Sequence, residues 1–260
     1  MMRFVDMHCH LDLMTNGVEI AREAHAEGIG FFCTTVTPVD AIDARERFST
    51  CANVRVGSGL HPWWLADGTC GDADVGLLEE LAARARYIGE VGLDAGKRGA
   101  ESIEAQAAAF ERTMRTVSEH PLPGRVISIH AIRSASRALD ILERTGAARS
   151  ATCILHWFSG TSDELWRAVR LGCLLSINEH MLATKRGREY ARILPDDRLL
   201  LETDAPPQLG NPYRLDAIER SLASTLEQLA QIRRVNAATL GAQIADRSTR
   251  LLDFANADCA

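Results

Sequence analysis

Short apolar runs, rich in β-branched and aromatic residues, alternate along this chain with longer amphipathic stretches. The runs are "RFVDMHCHL", "GIGFFCTTV", "VRVGSGLHP", "YIGEVGL", "RVISIHA", "ATCILHWF", "CLLSIN" and "RLLLETDAP". Each is long enough for a strand and too short for a helix. Between them, apolar residues recur every three or four positions in "GVEIAREAHAEG", "DVGLLEELAARARY", "SIEAQAAAFERTMRTVSEH", "ASRALDILERTG" and "SDELWRAVRLG". That spacing predicts helices, and several of them end in Gly, a common helix stop. A long helical region, 216–254, is expected to hold an eighth barrel helix plus a terminal one. Eight β-then-α units in about 250 residues predict an α/β chain folded as a TIM (β/α)8 barrel. The structural alternative, a doubly wound open sheet, usually has fewer strands. It also carries a Gly-rich phosphate loop after its first strand, and this chain has none there. With no Pro/Gly/Ser-rich linker and no short repeat, residues 1–260 read as a single domain.

Composition narrows the class. Hydrophobic residues make up 46%, too many for a disordered chain. No run approaches the roughly 18 apolar residues of a membrane span. No basic segment followed by an apolar one opens the sequence, so no signal peptide is expected. The seven cysteines are odd in number and have no paired spacing, and Cys33, Cys153 and Cys173 sit in apolar runs. They read as buried thiols in a reducing, cytoplasmic setting. A net charge of −6 means that any nucleic-acid contact has to be local.

The polar residues inside the apolar runs carry the chemistry. In "FVDMHCHLD", Asp6, His8, His10 and Asp12 occupy every second position, which in a regular strand places all four on one face. Other unusual polar residues fall at strand ends: His61 after run three, Glu90 and Asp94 in run four, and His130 and His156 in runs five and six. Glu202 and Asp204 follow in run eight, and His180 lies past run seven. In a TIM barrel those ends are where active sites lie. A single histidine at such a place reads as a hydrogen-bonded core residue. Five strand ends converging with imidazole or carboxylate would be costly in an apolar barrel, and a divalent cation offsets that cost. Four histidines and two carboxylates exceed one tetrahedral zinc and suit two ions (Mg, Mn or Zn) bridged by a carboxylate. In some metal barrels a carboxylated lysine makes that bridge from strand four. Here the two lysines, Lys97 and Lys185, lie outside the runs, and Glu90 occupies the place.

The ordered set "DMHCHLD", "GLHPW", "GEVGLD", "SIHA", "HWFSG" and "ETDAP" resembles the TatD family of metal-dependent deoxyribonucleases over about residues 4–207, with a weaker tail near "RSTRLL". The resemblance implies a TIM barrel, a divalent-metal site and hydrolysis of DNA, single-stranded or from ends. Motif by motif it implies that His8 and His10 bind a first ion, Glu90 bridges, and His130 and His156 hold a second. Asp204 would bind the first ion and handle the attacking water, Glu202 would stand behind the ligands, and His61 would sit close to the phosphate. Phosphate contacts are expected from the loops carrying Lys97, Arg98, Arg133, Lys185 and Arg186. Trp63 and Trp64 are candidates to stack bases, whereas Trp157 reads more as a cap on the barrel mouth.

Three loops depart from the family pattern. "AGKRG" stands where an aromatic usually follows "GLD", "HAIRSA" follows run five, and "SINEHMLATKRG" follows run seven. This divergence is similar to the TatD-like (QatD-type) subunits of bacterial anti-phage defence operons, which implies partner proteins. Two other readings stay open: a small-molecule amidohydrolase or phosphotriesterase on the same scaffold, and a barrel retained as an assembly subunit.

Overall fold

The computed structural model describes residues 2–254, so Cys259, the seventh cysteine, lies outside the described residues. Eight strands follow the runs closely: β1 Phe4–Cys9, β2 Ile29–Thr34, β3 Val54–Leu60, β4 Tyr87–Asp94, β5 Val126–Ile132, β6 Thr152–His156, β7 Leu174–Ile177 and β8 Leu199–Leu201. They form one sheet in the order β1 to β8. The pairs β1·β2, β3·β4, β4·β5, β5·β6 and β7·β8 are parallel. Eight such strands in chain order, each followed by helix, make the (β/α)8 arrangement of a TIM barrel. Such strands are covered on both faces, which is why they read as continuous apolar runs. No helix among the described residues is long and apolar enough to cross a membrane.

Contacts group the chain into two compact units. The first comprises the residues up to Cys33, Ala44–Arg55, and those from Leu175 onward. All six residues of β1 are buried. Phe4, Val5 and Asp6 pair with Ile29, Gly30 and Phe31, and then Cys9 pairs with Cys33. From Asp6 to Cys9 β1 takes three steps where β2 takes two, a bulge spanning Met7 and His8. A bulge bends its strand and re-aims side chains. β1 also ends at Cys9, and Leu11–Leu13 is a 3-10 turn. The regular one-face stripe expected of Asp6, His8, His10 and Asp12 is therefore not formed, because strict alternation stops at the bulge. The Asp12 carboxylate instead accepts from the Cys33 thiol at 3.4 Å. Arg47 holds the chain beyond β1 by donating to the carbonyls of Asp12 (2.9 Å) and Met14 (2.7 Å). The 216–254 region is two helices, Leu215–Arg233 and Ala237–Leu251.

The second unit comprises Thr34–Asp43 and Val56–Leu174. Its helices bury the periodic positions seen in the sequence. Helix Asp72–Arg84 buries Val75, Leu78, Leu81 and Ala82. Helix Ile103–Glu119 buries Phe110, Met114 and Val117. Helix Ala135–Thr145 stops at Gly146, whose φ of 77° lets its N–H turn back to the Leu142 carbonyl. Arg125, 1% exposed, donates to the carbonyls of Ala82, Ala85, Val117 and His120, which lie at and just past the C-terminal ends of two of these helices. Helix C-terminal carbonyls carry partial negative charge, so the guanidinium is compensated there without a carboxylate. β4 carries a bulge of its own: Ile88 and Val91, three steps apart, pair with Ile127 and Ile129, two steps apart. Glu90 lies inside it. Further along, a Cβ on Gly92 (φ 142°) would stand 2.1 Å from the His130 carbonyl, so only glycine lets β4 and β5 approach there.

Candidate metal centre

In the first unit the end of β1 meets the segment after β8. The His10 N–H donates to the Ala205 carbonyl (2.7 Å) and the Asp204 N–H to the His8 carbonyl (2.9 Å). These bonds hold Asp204 at a φ of 60°, a left-handed conformation uncommon for non-glycine residues. The Asp204 Oδ1 lies 3.6 Å from His8 Nε2 and 3.4 Å from His10 Nε2. Both histidines are buried, and the Asp204 side chain is 22% exposed. Beside them, Asp6 accepts from the Thr203 N–H (2.9 Å), the Thr203 hydroxyl and the His8 N–H. Burial pushes the Asp6 carboxyl up to about 7 despite those bonds. Glu202, fully buried, accepts from the Ser176 hydroxyl and from Asn178 Nδ2 at 2.8 Å.

In the second unit, three rings converge on one oxygen. Glu90 Oε1 lies 2.7 Å from His130 Nδ1, 2.8 Å from His156 Nε2 and 3.2 Å from His61 Nε2. The two nearer nitrogens are 3.2 Å apart. His61 Nδ1 accepts from the Trp63 N–H at 3.1 Å, so the neutral ring carries its proton on Nε2, facing Glu90. His130 Nε2 faces Asp94 Oδ2 at 3.0 Å. Burial disfavours charge on His130, but the hydrogen bonds to Asp94 and Glu90 prevail and hold it above its ordinary value. For Asp94, burial acts upward, and the donors on His130, Gly96 and Trp63 prevail and hold it below the usual carboxylate range.

The residues fit divalent ions. Ligands about 2.0–2.2 Å from a cation stand roughly 3–3.6 Å from one another. Each of the sets His8, His10, Asp204 and His61, Glu90, His130 offers ligand atoms within 4.8 Å of one another, and those of Glu90, His130 and His156 lie within 3.2 Å of one another. All are imidazole nitrogens or carboxylate oxygens, the donors that Mg, Mn and Zn take.

The structure thus gathers His8, His10 and Asp204 in one unit, with Glu202 buried nearby, and His61, Glu90, His130 and His156 in the other. Arg133, at φ 52°, is exposed just past β5. Lys185 and Arg186, read as loop residues, instead open helix Lys185–Ile193, which is capped by the Thr184 hydroxyl accepting from the Gly187 N–H at 2.9 Å. A Thr three residues before a Gly amide was the available signal. Trp63 is half-buried, with its indole N–H on Asp94 at 2.7 Å and the Arg98 guanidinium 4.4 Å from its ring centroid. Phe158 is buried. Asp94 stood out in the sequence only as a strand-end acid. Gln106, Ser176, Asn178 and Thr203 carried no sequence signal, because each matters through a partner fixed by the fold.

Similarity to known proteins identifies the family. The family model described as TatD related DNase matches residues 5–253. The chain is 28% identical over 251 residues to the 3'-5' ssDNA/RNA exonuclease TatD of Erwinia tasmaniensis, covering 91% of this chain and 92% of that protein. It is 27% identical to the human deoxyribonuclease TATDN3, covering 89% and 88%. The crystal structure of YJJV, a TatD homologue from Escherichia coli K12, superposes with a TM-score of 0.80 at 23% identity, covering 96% of this chain and 97% of that one. With the match spanning nearly the whole chain, the protein belongs to the TatD-related DNase family.

Proposed function

We propose that this chain is a divalent-metal-dependent nuclease that hydrolyses phosphodiester bonds of single-stranded DNA from an end, with two ions of Mg, Mn or Zn. The observation that carries the reading is Glu90 Oε1, with three imidazole nitrogens within 3.2 Å. One ion would be held by His8, His10 and Asp204, and the other by Glu90, His130 and His156. A bound divalent ion supplies positive charge for the phosphate and makes water acidic enough to act as nucleophile near neutral pH. In the first unit, Asp204 orients the attacking water and accepts its proton, its carboxylate being the partly exposed member of that set. Glu202, fixed by Ser176 and Asn178, stands behind the ligands. In the second, His61 keeps its proton on Nε2 and so acts as a donor to a phosphate or leaving oxygen rather than as a ligand. Trp63, Arg133, Lys185 and Arg186 are the proposed strand contacts. The names of the relatives, an ssDNA/RNA exonuclease and a deoxyribonuclease, support the substrate class. The altered loops after β4, β5 and β7 support the narrower role of a TatD-like subunit working with partner proteins in anti-phage defence, and the buried thiols, none of them in a disulfide among the described residues, support a cytoplasmic setting.

The test is direct. Protein stripped with a chelator and reloaded with Mn²⁺ should shorten end-labelled single strands, and the stripped protein should not. Turnover of small phosphotriesters or amides with strands left intact would move the assignment to a small-molecule hydrolase. Failure to bind any of the three metals would overturn it.

A further inference from the structure

Asp94 is a heavily constrained carboxylate of the second unit. Its Oδ1 accepts from the Gly96 N–H at 2.6 Å. Its Oδ2 accepts from two side chains, Trp63 Nε1 at 2.7 Å and His130 Nε2 at 3.0 Å. Its backbone is clamped by Gln106, a fully buried amide whose Oε1 accepts from the Asp94 N–H (2.7 Å) and whose Nε2 reaches the carbonyls of Asp94 (3.3 Å) and Gly99 (2.8 Å). So much fixation suits a group that must hold another in one orientation. On the far side of the His130 ring, Nδ1 faces Glu90 Oε1.

We propose that Trp63 is a positioning residue for His130, acting through Asp94: the indole N–H and the Gly96 N–H fix the carboxylate, and the carboxylate holds the Nε2 proton of His130 so that Nδ1 presents its lone pair to a metal ion. The inference rests on the reading of the Glu90 cluster as a metal site. Partners of this kind fix the tautomer and orientation of a ligating imidazole and raise its basicity. The proposal gives Trp63 a task different from base stacking. The Arg98 guanidinium already lies over its ring at 4.4 Å and is tied to Asp67 at 3.1 Å. The task belongs to the N–H rather than to the ring, so Trp63→Phe separates the two.

Two readouts test it. In the first, ¹⁵N spectra of the histidine rings are recorded without metal. Asp94→Asn and Trp63→Phe should both shift the His130 Nε2 signal, from the nitrogen that faces Asp94, more than the Nδ1 signal, from the nitrogen that faces Glu90. In the second, Mn²⁺ is titrated calorimetrically. Loss of such a partner typically costs 10–100-fold in metal affinity, so Asp94→Asn should weaken binding by about that factor, and Trp63→Phe, one bond further out, by about 3–10-fold. The double variant should bind about as Asp94→Asn alone, since both changes break the same chain. Wild-type His130 signals and wild-type Mn²⁺ affinity in Trp63→Phe would overturn the proposal while leaving the metal reading intact. A wild-type protein that binds no Mn²⁺, with His130 still displaced in Trp63→Phe, would overturn the metal reading and keep the positioning role.

Discussion

The Asp204 and Glu90 clusters use the same residue types and are built in opposite ways. Around Glu90 the three imidazole contacts are 2.7–3.2 Å, the side chain is 2% exposed, and His61 and His130 have further partners of their own. Around Asp204 the distances are 3.4–3.6 Å, longer than ordinary hydrogen bonds, and the carboxylate is 22% exposed. Backbone bonds and a left-handed φ position Asp204, where a side-chain network positions Glu90. One cluster is set by side chains satisfying one another, the other by the path of the chain. Chemistry and stability should therefore be tightly coupled in the first case and separable in the second.

Glu90→Gln should have the largest effect. The change keeps the shape and removes the negative charge on which the three rings converge. Since losing even an outer partner of a ligand costs 10–100-fold, loss of a ligand charge should lower turnover by more than about 10³-fold. Charge-assisted hydrogen bonds become neutral ones, so stability should fall by about 1–3 kcal/mol, read from denaturant midpoints. Turnover within tenfold of wild type would show that Glu90 is structural. Asp204→Asn should also cut turnover, by about 10²–10³-fold. Its stability should stay within about 0.5 kcal/mol of wild type, because the contacts to His8 and His10 are long, at 3.4–3.6 Å, and Asn tolerates left-handed backbone well. Equal destabilisation by the two variants would erase the distinction between the clusters.

A smaller effect is expected from Arg47→Met. Arg47 supports the chain just after His10 through two carbonyls. Its loss should cost about 1 kcal/mol and weaken Mn²⁺ binding at the Asp204 set, with the Glu90 set untouched. Manganese titrations of the variant in Asp204→Asn and Glu90→Gln backgrounds would assign the change to one set or the other.

The same contrast explains what was legible in the sequence. The strands could be read because their residues are covered on both faces, as in "GIGFFCTTV", and the histidines and acids stood out as polar exceptions at the ends of those runs. The bulges at Met7–His8 and Gly89–Glu90 were not legible, because a bulge is a mismatch between two strands and neither strand's pattern records it alone. Helix Pro38–Arg47 escaped because much of "PVDAIDARER" is polar, although Thr37 caps it by accepting from the Asp40 N–H at 3.1 Å. Asp94 and Gln106 matter through partners 36 and 12 positions away, separations that carry no periodic signal.

The smallest effect should come from the exposed basic turn of the first unit. Lys185 and Arg186 begin a nine-residue helix, exposed and distinct from both ligand sets, so replacing them should leave the Mn²⁺ affinity of either cluster unchanged. If they meet the strand, each neutralises about one phosphate. Lys185→Ala with Arg186→Ala should then flatten the dependence of log affinity on log salt by about one to two counterions. Affinity should fall several-fold at low salt and much less at high salt, where screening has already removed the contribution. Turnover at saturating substrate should change little, since charges of this kind raise capture of a polyanion without touching the reacting atoms. The net charge of −6 sharpens the test, because a chain that repels nucleic acid at long range has to attract it through a few local cations. An unchanged salt slope in the double variant would remove this helix from the strand's path. The search would then shift to Arg133 beyond β5, whose replacement can be measured on the same salt series.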